Sequence, residues 1–332
     1  MLATAPPAFV PTDYEWLRLR FEADRRSRAR GLLARVQEHV AGRPRIKVLD
    51  LGAGAGGNLL FLAPQLPVTD QEWVLVDRDG ALLARVAACC AALGGDYPPT
   101  VVALDRVPAC CAALGGDYPS SAPGHLRVGE RAVRYRALVG DFVTDARVFA
   151  ERWDLVVANA VFDLLPERTV AHFFEGVRST FAESCPPLYL TIHLDTGLTF
   201  DPESPEDEPV RALFHAHMRR PQAFGRALGP QSARALARLA ARTGFTVHAE
   251  PSPWRLGPDD ARMLHAKLDF IENAVTEMLR EAGRGALPLA FGIDALARWV
   301  AARRAQVERG ELRITVGHRD LWLTPHPRAL AN

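Results

Sequence analysis

Apolar positions recur along this chain in two rhythms. Ile46–Asp50, Trp73–Asp77, Tyr135–Val139, Asp154–Ala158 and Leu188–His193 are short, dense apolar runs. Runs of this kind predict strands covered on both faces. Helical spacing fills most of the gaps. Leu33, Val36 and Val40 share a helix face, and Asp13 is a plausible N-cap for the helical text that precedes them. Strands alternating with helices specify an α/β chain, a doubly wound and mostly parallel sheet with helices on both faces.

The rhythm changes after Asp195. Asp201–Pro209 is acidic and proline-rich and predicts a loop. Ser232 is the expected N-cap of a helix ending at Thr243, with Gly244 at C′. Phe245–Ala249 predicts a sixth strand, and Pro258 opens a helix whose apolar face carries Leu264, Leu268, Ile271, Val275 and Met278. Leu312–Val316 and Leu321–Leu323 predict a last strand interrupted near Gly317. The expected division is a helical arm over 1–44, a ligand-binding core over 45–198, a lid-like insertion over 199–231, and the completion of the sheet with added helices over 232–332. Ala88–Pro98 recurs unchanged as Ala109–Pro119, a tandem duplication that the core carries as an insertion over 88–119.

Composition narrows the class. The chain has 332 residues, 48% hydrophobic, which is enough to build a core. Forty basic and 39 acidic side chains leave a net charge of +1, which disfavours a duplex-binding surface. No apolar run reaches the roughly 18–20 residues of a membrane span. The first residues lack a basic start and a continuous apolar stretch, so no secretory leader is expected. Five cysteines in that setting are expected to be reduced thiols of a cytoplasmic protein. The adjacent pairs Cys89/Cys90 and Cys110/Cys111 lack the spacing of a zinc site, and no metal is expected. No segment prescribes an oligomeric state.

The candidate chemistry starts at Val48-Leu-Asp-Leu-Gly-Ala-Gly-Ala-Gly56. A strand ends in an acid and a Gly-x-Gly-x-Gly turn opens a helix. Glycine lets backbone approach a ligand closely. Nicotinamide enzymes use a similar turn, so it is not diagnostic alone. Asp50 precedes the glycines, where a ligand's ammonium group would need a carboxylate. Asp77 ends the next strand, 21 residues after Gly56, where an acid can accept from both ribose hydroxyls. Gly140-Asp141-Phe142 ends the following strand and offers a carboxylate and a ring to an adenine.

On these motifs, over roughly residues 46–193, the chain resembles the class I S-adenosylmethionine-dependent methyltransferases. The resemblance implies a Rossmann-like, seven-stranded sheet with an antiparallel last strand. It implies S-adenosyl-L-methionine as cofactor. Gly52, Ala53, Gly54 and Gly56 would then hold the methionine part together with Asp50. Asp77, with Arg78 after it, would bind ribose, and Asp141 with Phe142 would bind adenine. Asn159 and Ala160 would lie beside the sulfonium. Relatives acting on DNA or protein amides often carry an aromatic Pro-Pro-Tyr type motif there. Asn159-Ala-Val-Phe-Asp163 replaces it in this chain.

Acceptor residues are sought at the carboxyl ends of the later strands. His193 is the expected general base, since histidine titrates near neutrality, with Asp163 or Asp195 to orient it. His217 and Arg220, from the insertion, are candidates for reaching the site and contacting an anion. Phe162, Trp16 and Arg20 are further candidate contacts, as are Trp254 and Arg255 after the sixth strand. Capping and core-packing roles remain the alternative for each. A cation held by Asn159, Asp163 and Asp195 is a metal-assisted variant. The expected activity is methyl transfer to an oxygen or nitrogen atom of a small molecule in an enclosed pocket, without nucleic-acid or membrane partners. An RNA or protein methyltransferase and a non-catalytic scaffold are the rival readings.

Overall fold

The computed structural model describes residues 14–93, 101–103, 124–128, 131–222, 225–282 and 291–326. The N-terminal arm, Asp13 and the second copy of the duplicated segment lie outside the described residues. The first copy lies partly within them, in a helix over Val86–Leu93.

The helices are α1 (Tyr14–Ser27), α2 (Arg30–Val40), α3 (Gly57–Leu62), α4 (Gly80–Leu83), α5 (Val86–Leu93), α6 (Glu167–Phe181), α7 (Asp207–Met218), α8 (Ser232–Arg242), α9 (Ala261–Ala282) and α10 (Ile293–Glu308). The strands are β1 (Arg45–Leu51), β2 (Asp70–Asp77), β3 (Val101–Ala103), β4 (Gly124–Val128), β5 (Arg131–Val139), β6 (Leu155–Asn159), β7 (Leu188–Asp201), β8 (Pro221–Gln222), β9 (Gly225–Arg226), β10 (Phe245–Pro251), β11 (Trp254–Leu256) and β12 (Arg313–Pro325).

All but the β8–β9 pair form one sheet, in the order β10-β12-β7-β6-β1-β2-β5-β4-β3, with β11 paired to β12. From β7 to β5 the ladder is parallel. β12 runs antiparallel to both β7 and β10. The doubly wound expectation and its antiparallel last strand are therefore present. The strand count differs: among the described residues the sheet has ten strands rather than seven, because β3 and β4 extend one edge and β11 augments β12.

Alternation along the strands splits the core into two layers. Val48, Trp73 and Leu75 pack with Val36 and Val40 of α2 and Leu59 of α3. Leu49, Leu51, Val74 and Val76 face the other way, onto Phe173 and Phe174 of α6 and Leu236 of α8. A third apolar cluster joins Phe200 of β7 and Val210 of α7 to Leu264 of α9 and Trp299 of α10.

Several local expectations change. Ser232 is the first residue of α8, not its cap, and its hydroxyl donates to the Leu194 carbonyl at 3.1 Å. Thr243 caps the other end, with Gly244 at φ 84° as expected. The last strand is not broken at Gly317. It continues for 13 residues, and irregular pairing with β7 between Val316 and His318 absorbs the mismatch. β7 extends to Asp201, and α7 begins inside the stretch expected to be loop. No helix among the described residues is long and apolar enough to cross a membrane.

Candidate functional site

β1 has β2 on one side and β6 on the other, so successive connections leave it in opposite directions. Open α/β sheets form their ligand crevice at such a switch point, beyond the carboxyl ends of the strands. A cavity of about 980 Å³ opens there.

The glycine turn forms one wall. Gly52 (φ 63°) and Gly54 (φ 53°) occupy the left-handed region, which side chains disfavour, and both line the cavity. A Cβ on Gly52 would stand 2.6 Å from Val161 Cγ2. Asp77 clamps the turn: Oδ2 accepts from Gly54 N at 2.8 Å and Oδ1 from Asp79 N at 2.9 Å. Burial pushes its carboxyl above the usual range. Ala53, Arg78, Asp141 and Phe142 line the same wall. Asp141 Oδ1 accepts from Val143 N at 2.9 Å, which orders the turn after β5. Phe142 shows the cavity one edge while packing on Phe162 and Phe173.

The tips of β6 and β7 carry unusual backbone. Ala160 (φ 50°) and Ile192 (φ 55°) are non-glycine residues with positive φ, and both line the cavity. Such conformations cost about 1–3 kcal/mol each and persist only where surroundings over-determine them. Asp320 supplies part of that determination. This buried carboxylate accepts from Ile192 N at 2.8 Å and from Ala29 N at 2.9 Å.

The far end of the cavity lies between α1, α7, α9 and β11. Asp24 is its hub. Its carboxylate takes a two-pronged ion pair from Arg20, the Trp254 indole N–H and the Asn159 amide. Trp16, Phe214, Trp254 and Phe270 give this end aromatic walls. His217 Nε2 meets Glu277 Oε2 at 3.0 Å. Asp163 is buried, lines the cavity, and leaves Oδ1 without a partner among the described residues. Burial pushes its carboxyl up to about 6.

The cavity therefore collects Trp16, Arg20, Gly52, Ala53, Gly54, Asp77, Arg78, Asp141, Phe142, Asn159, Ala160, Asp163, His217 and Trp254 from the expected set. The remaining expected residues are not among its lining. Asp50 is fully buried and touches the cavity only through Asn58, whose amide donates to Oδ1 at 2.9 Å. With Oδ2 unpartnered, burial pushes Asp50 up to about 7. Gly56 turns away to cap α3 beside Val86. Phe162 sits wholly inside the aromatic core.

His193 is the main correction. It is fully buried, both ring nitrogens lack partners among the described residues, and burial pushes it down to about 3. It is a neutral core side chain packed near Phe162, not a base. Arg220 is spent on Glu277 and Glu281 and stands behind the wall. Arg255 alternates outward from Trp254 on β11 and is exposed. Asp195 pairs with Arg319 at 2.9 Å, so the trio imagined for a cation does not assemble in the cavity.

Lining residues that the sequence did not flag include Asp24, Arg28, Asn58, Lys267, Glu277 and His318. Arg28 belongs to the basic run Arg25–Arg30, whose composition is that of a solvated helix face, yet it is buried and bonds Asn58 Oδ1 at 2.9 Å and Thr191 Oγ1. One signal was readable. Lys267 lies three residues after Leu264 and four before Ile271, inside the apolar stripe of α9.

No family model and no curated protein matches the chain. Solved structures resemble it in fold. A cyclopropane synthase from Mycobacterium tuberculosis is 14% identical, with 89% of this chain and 83% of that one covered and a TM-score of 0.38. An S-adenosylmethionine-dependent methyltransferase from Thiobacillus denitrificans, in complex with S-adenosyl-L-homocysteine, is 13% identical, with 95% and 99% covered and a TM-score of 0.37. One from Geobacter sulfurreducens, with the same ligand, is 14% identical, with 92% and 98% covered and a TM-score of 0.36. At TM-scores this low, no statement about this chain's activity rests on them.

Proposed function

We propose that this chain is an S-adenosyl-L-methionine-dependent methyltransferase acting on an oxygen or nitrogen atom of a small molecule. The observation that carries the reading is the continuity of the cavity. Its sheet end is lined by Gly52, Gly54, Asp77 and Asp141, and its far end by Trp16, Phe214, Trp254 and Phe270. Ligand cavities commonly span roughly 300–1,000 Å³. At about 980 Å³ this one has room for a cofactor and an acceptor together.

The residues at the sheet end fit that cofactor. Asp77 faces the cavity with acceptor capacity left beyond its two backbone bonds, which suits a ribose diol. Asp141 and the edge of Phe142 offer an acceptor and an apolar surface to an adenine. The glycines leave bare backbone where a Cβ would intrude. When bound, the cofactor supplies a methyl group on a sulfonium, already activated toward displacement.

The protein's part is then placement and proton handling. Asn159 and Ala160 set the boundary between the two ends of the cavity. The aromatic walls orient an acceptor so that its nucleophilic atom lies in line, which accounts for most of the acceleration available to such a displacement. Asp163, near 6 and with a free oxygen, is the group best suited to take the acceptor's proton. His217, held by Glu277, is the second.

Calorimetric titration with S-adenosyl-L-homocysteine tests the reading. One-to-one binding is expected. An absence of heat at millimolar ligand would overturn it.

A further inference from the structure

Resting on the methyltransferase reading, we propose that the acceptor molecule carries, apart from its methylated atom, a carboxylate on an aromatic or apolar body, and that the Lys267 ammonium is the counterion of that carboxylate. The argument begins with charge. Besides Asp163, which does not pair with Lys267, three ionic features stand at the far end of the cavity. Arg20 is closed onto Asp24, with Nε to Oδ2 at 3.0 Å and Nη2 to Oδ1 at 3.1 Å. Glu277 is closed onto Arg220 at 2.9 Å and His217 at 3.0 Å. Lys267 is left over. It is 7% exposed, lines the cavity, and has no hydrogen-bond or ion-pair partner among the described residues. Its Nζ stands 4.8 Å from the Phe214 ring centroid.

A lone buried ammonium is costly, by several kcal/mol in real proteins. The protein registers that cost: burial, with the Arg20 charge adding to it, pushes Lys267 down to about 8. No carboxylate among the described residues offsets it. His318, also at the cavity wall, is held neutral by burial and leaves Nδ1 without a partner among the described residues. An anion arriving with the substrate would restore the balance, and it would also sit favourably near a sulfonium.

The chemistry of the anion follows from the donors. A phosphate dianion calls for a forked guanidinium or several cations. The guanidinium whose charge acts on Lys267, that of Arg20, is already filled by Asp24. A single point charge suits a monoanion. The wall beside it also carries aromatic rings: Trp16 packs on Phe270 at 4.8 Å and on Trp254 at 6.2 Å, so one aromatic surface runs alongside the ammonium.

The test uses the full chain saturated with S-adenosyl-L-homocysteine. Benzoate, phenylacetate and cinnamate are titrated against their amides, with quenching of Trp16 and Trp254 fluorescence as the readout. Carboxylates should bind about tenfold or more tighter than the matching amides, the equivalent of one charge-assisted hydrogen bond. Lys267→Met should erase that preference and leave the affinity for S-adenosyl-L-homocysteine unchanged. Lys267→Arg, which keeps the charge, should retain it. Amides binding as well as carboxylates, no carboxylate binding at all, or a preference that survives in Lys267→Met would each overturn the proposal. Should Lys267→Met not fold, the comparison in the unaltered protein decides alone. Failure of S-adenosyl-L-homocysteine to bind would instead remove the methyltransferase reading itself.

Discussion

The indole N–H of Trp254 donates to Asp24 Oδ1 at 2.9 Å, joining β11 to the first helix across 230 residues of sequence. The same carboxylate holds Arg20 and Asn159, so one buried acid ties α1 to the tip of β6 and to the aromatic wall. α1 contributes no sheet hydrogen bonds, and this acid is a main reason it stays over the crevice. Asp24→Ala should therefore cost about 3–5 kcal/mol, because it strands the Arg20 charge and a buried indole N–H together. Denaturant unfolding reads this directly. A loss under about 1 kcal/mol would mean that α1 is seated by apolar contacts instead.

Asp77 acts on the ligand side of the same crevice. It holds the glycine turn through Gly54 N and presents its remaining lone pairs to the cavity. Asp77→Ala should weaken binding of S-adenosyl-L-homocysteine by about 2–4 kcal/mol, the value of two charge-assisted hydrogen bonds. Calorimetry measures it. An unchanged dissociation constant would take Asp77 out of the site.

Asp50 gives a prediction about pH. In the unfolded chain its carboxyl titrates at 3.8, and in the folded protein at about 7. Below pH 3.8 both forms are protonated, and the neutral carboxyl costs folding little. As pH rises toward 7 the unfolded chain releases its proton first, so stability falls. The loss between pH 5 and pH 8 should be on the order of 3 kcal/mol. Asp50→Asn keeps an oxygen for the Asn58 amide and removes the titration. Its stability should be flatter over that interval, measured by urea unfolding without ligand. Parallel curves for the two proteins would contradict the assignment.

What was legible in the sequence follows from what one chain of letters encodes. Buried parallel strands announce themselves as unbroken apolar runs, so β1, β2, β6 and the acid at the end of β2 could be read directly. The glycine turn could be read because glycine takes its left-handed backbone without the strain that a side chain adds. Depth could not. Asp50 and Asp77 both end apolar runs, yet one is sealed beneath Asn58 and the other faces the cavity. Partners distant in sequence were equally hidden. Asp24, Arg28 and Lys267 looked like ordinary charges on helices because the groups that surround them come from β6, β7, β11 and α7. The run Arg25–Arg30 has the composition of a solvated face, although Arg28 itself follows the end of α1 and is buried. Lys267 broke the apolar stripe between Leu264 and Ile271, an irregularity that could be read from the letters.

His193 shows the same limit from the other direction, and it yields a sharp test. Its place at the end of an apolar run suggested a base at a strand tip. The positive φ of Ile192 instead leaves its ring in the core, near Phe162, with both nitrogens unpartnered among the described residues. Leaving a buried polar group unsatisfied costs about 1–3 kcal/mol, so an apolar side chain of similar size should be tolerated or preferred. His193→Leu should melt at the same temperature as the unaltered protein or higher, and should bind S-adenosyl-L-homocysteine with unchanged affinity. A base would behave otherwise: its removal would leave stability alone and abolish the neutral limb of any pH–rate profile. A His193→Leu protein that is less stable by more than about 2 kcal/mol would mean that the ring nitrogens do have partners, and a lost neutral limb at unchanged stability would make His193 the base.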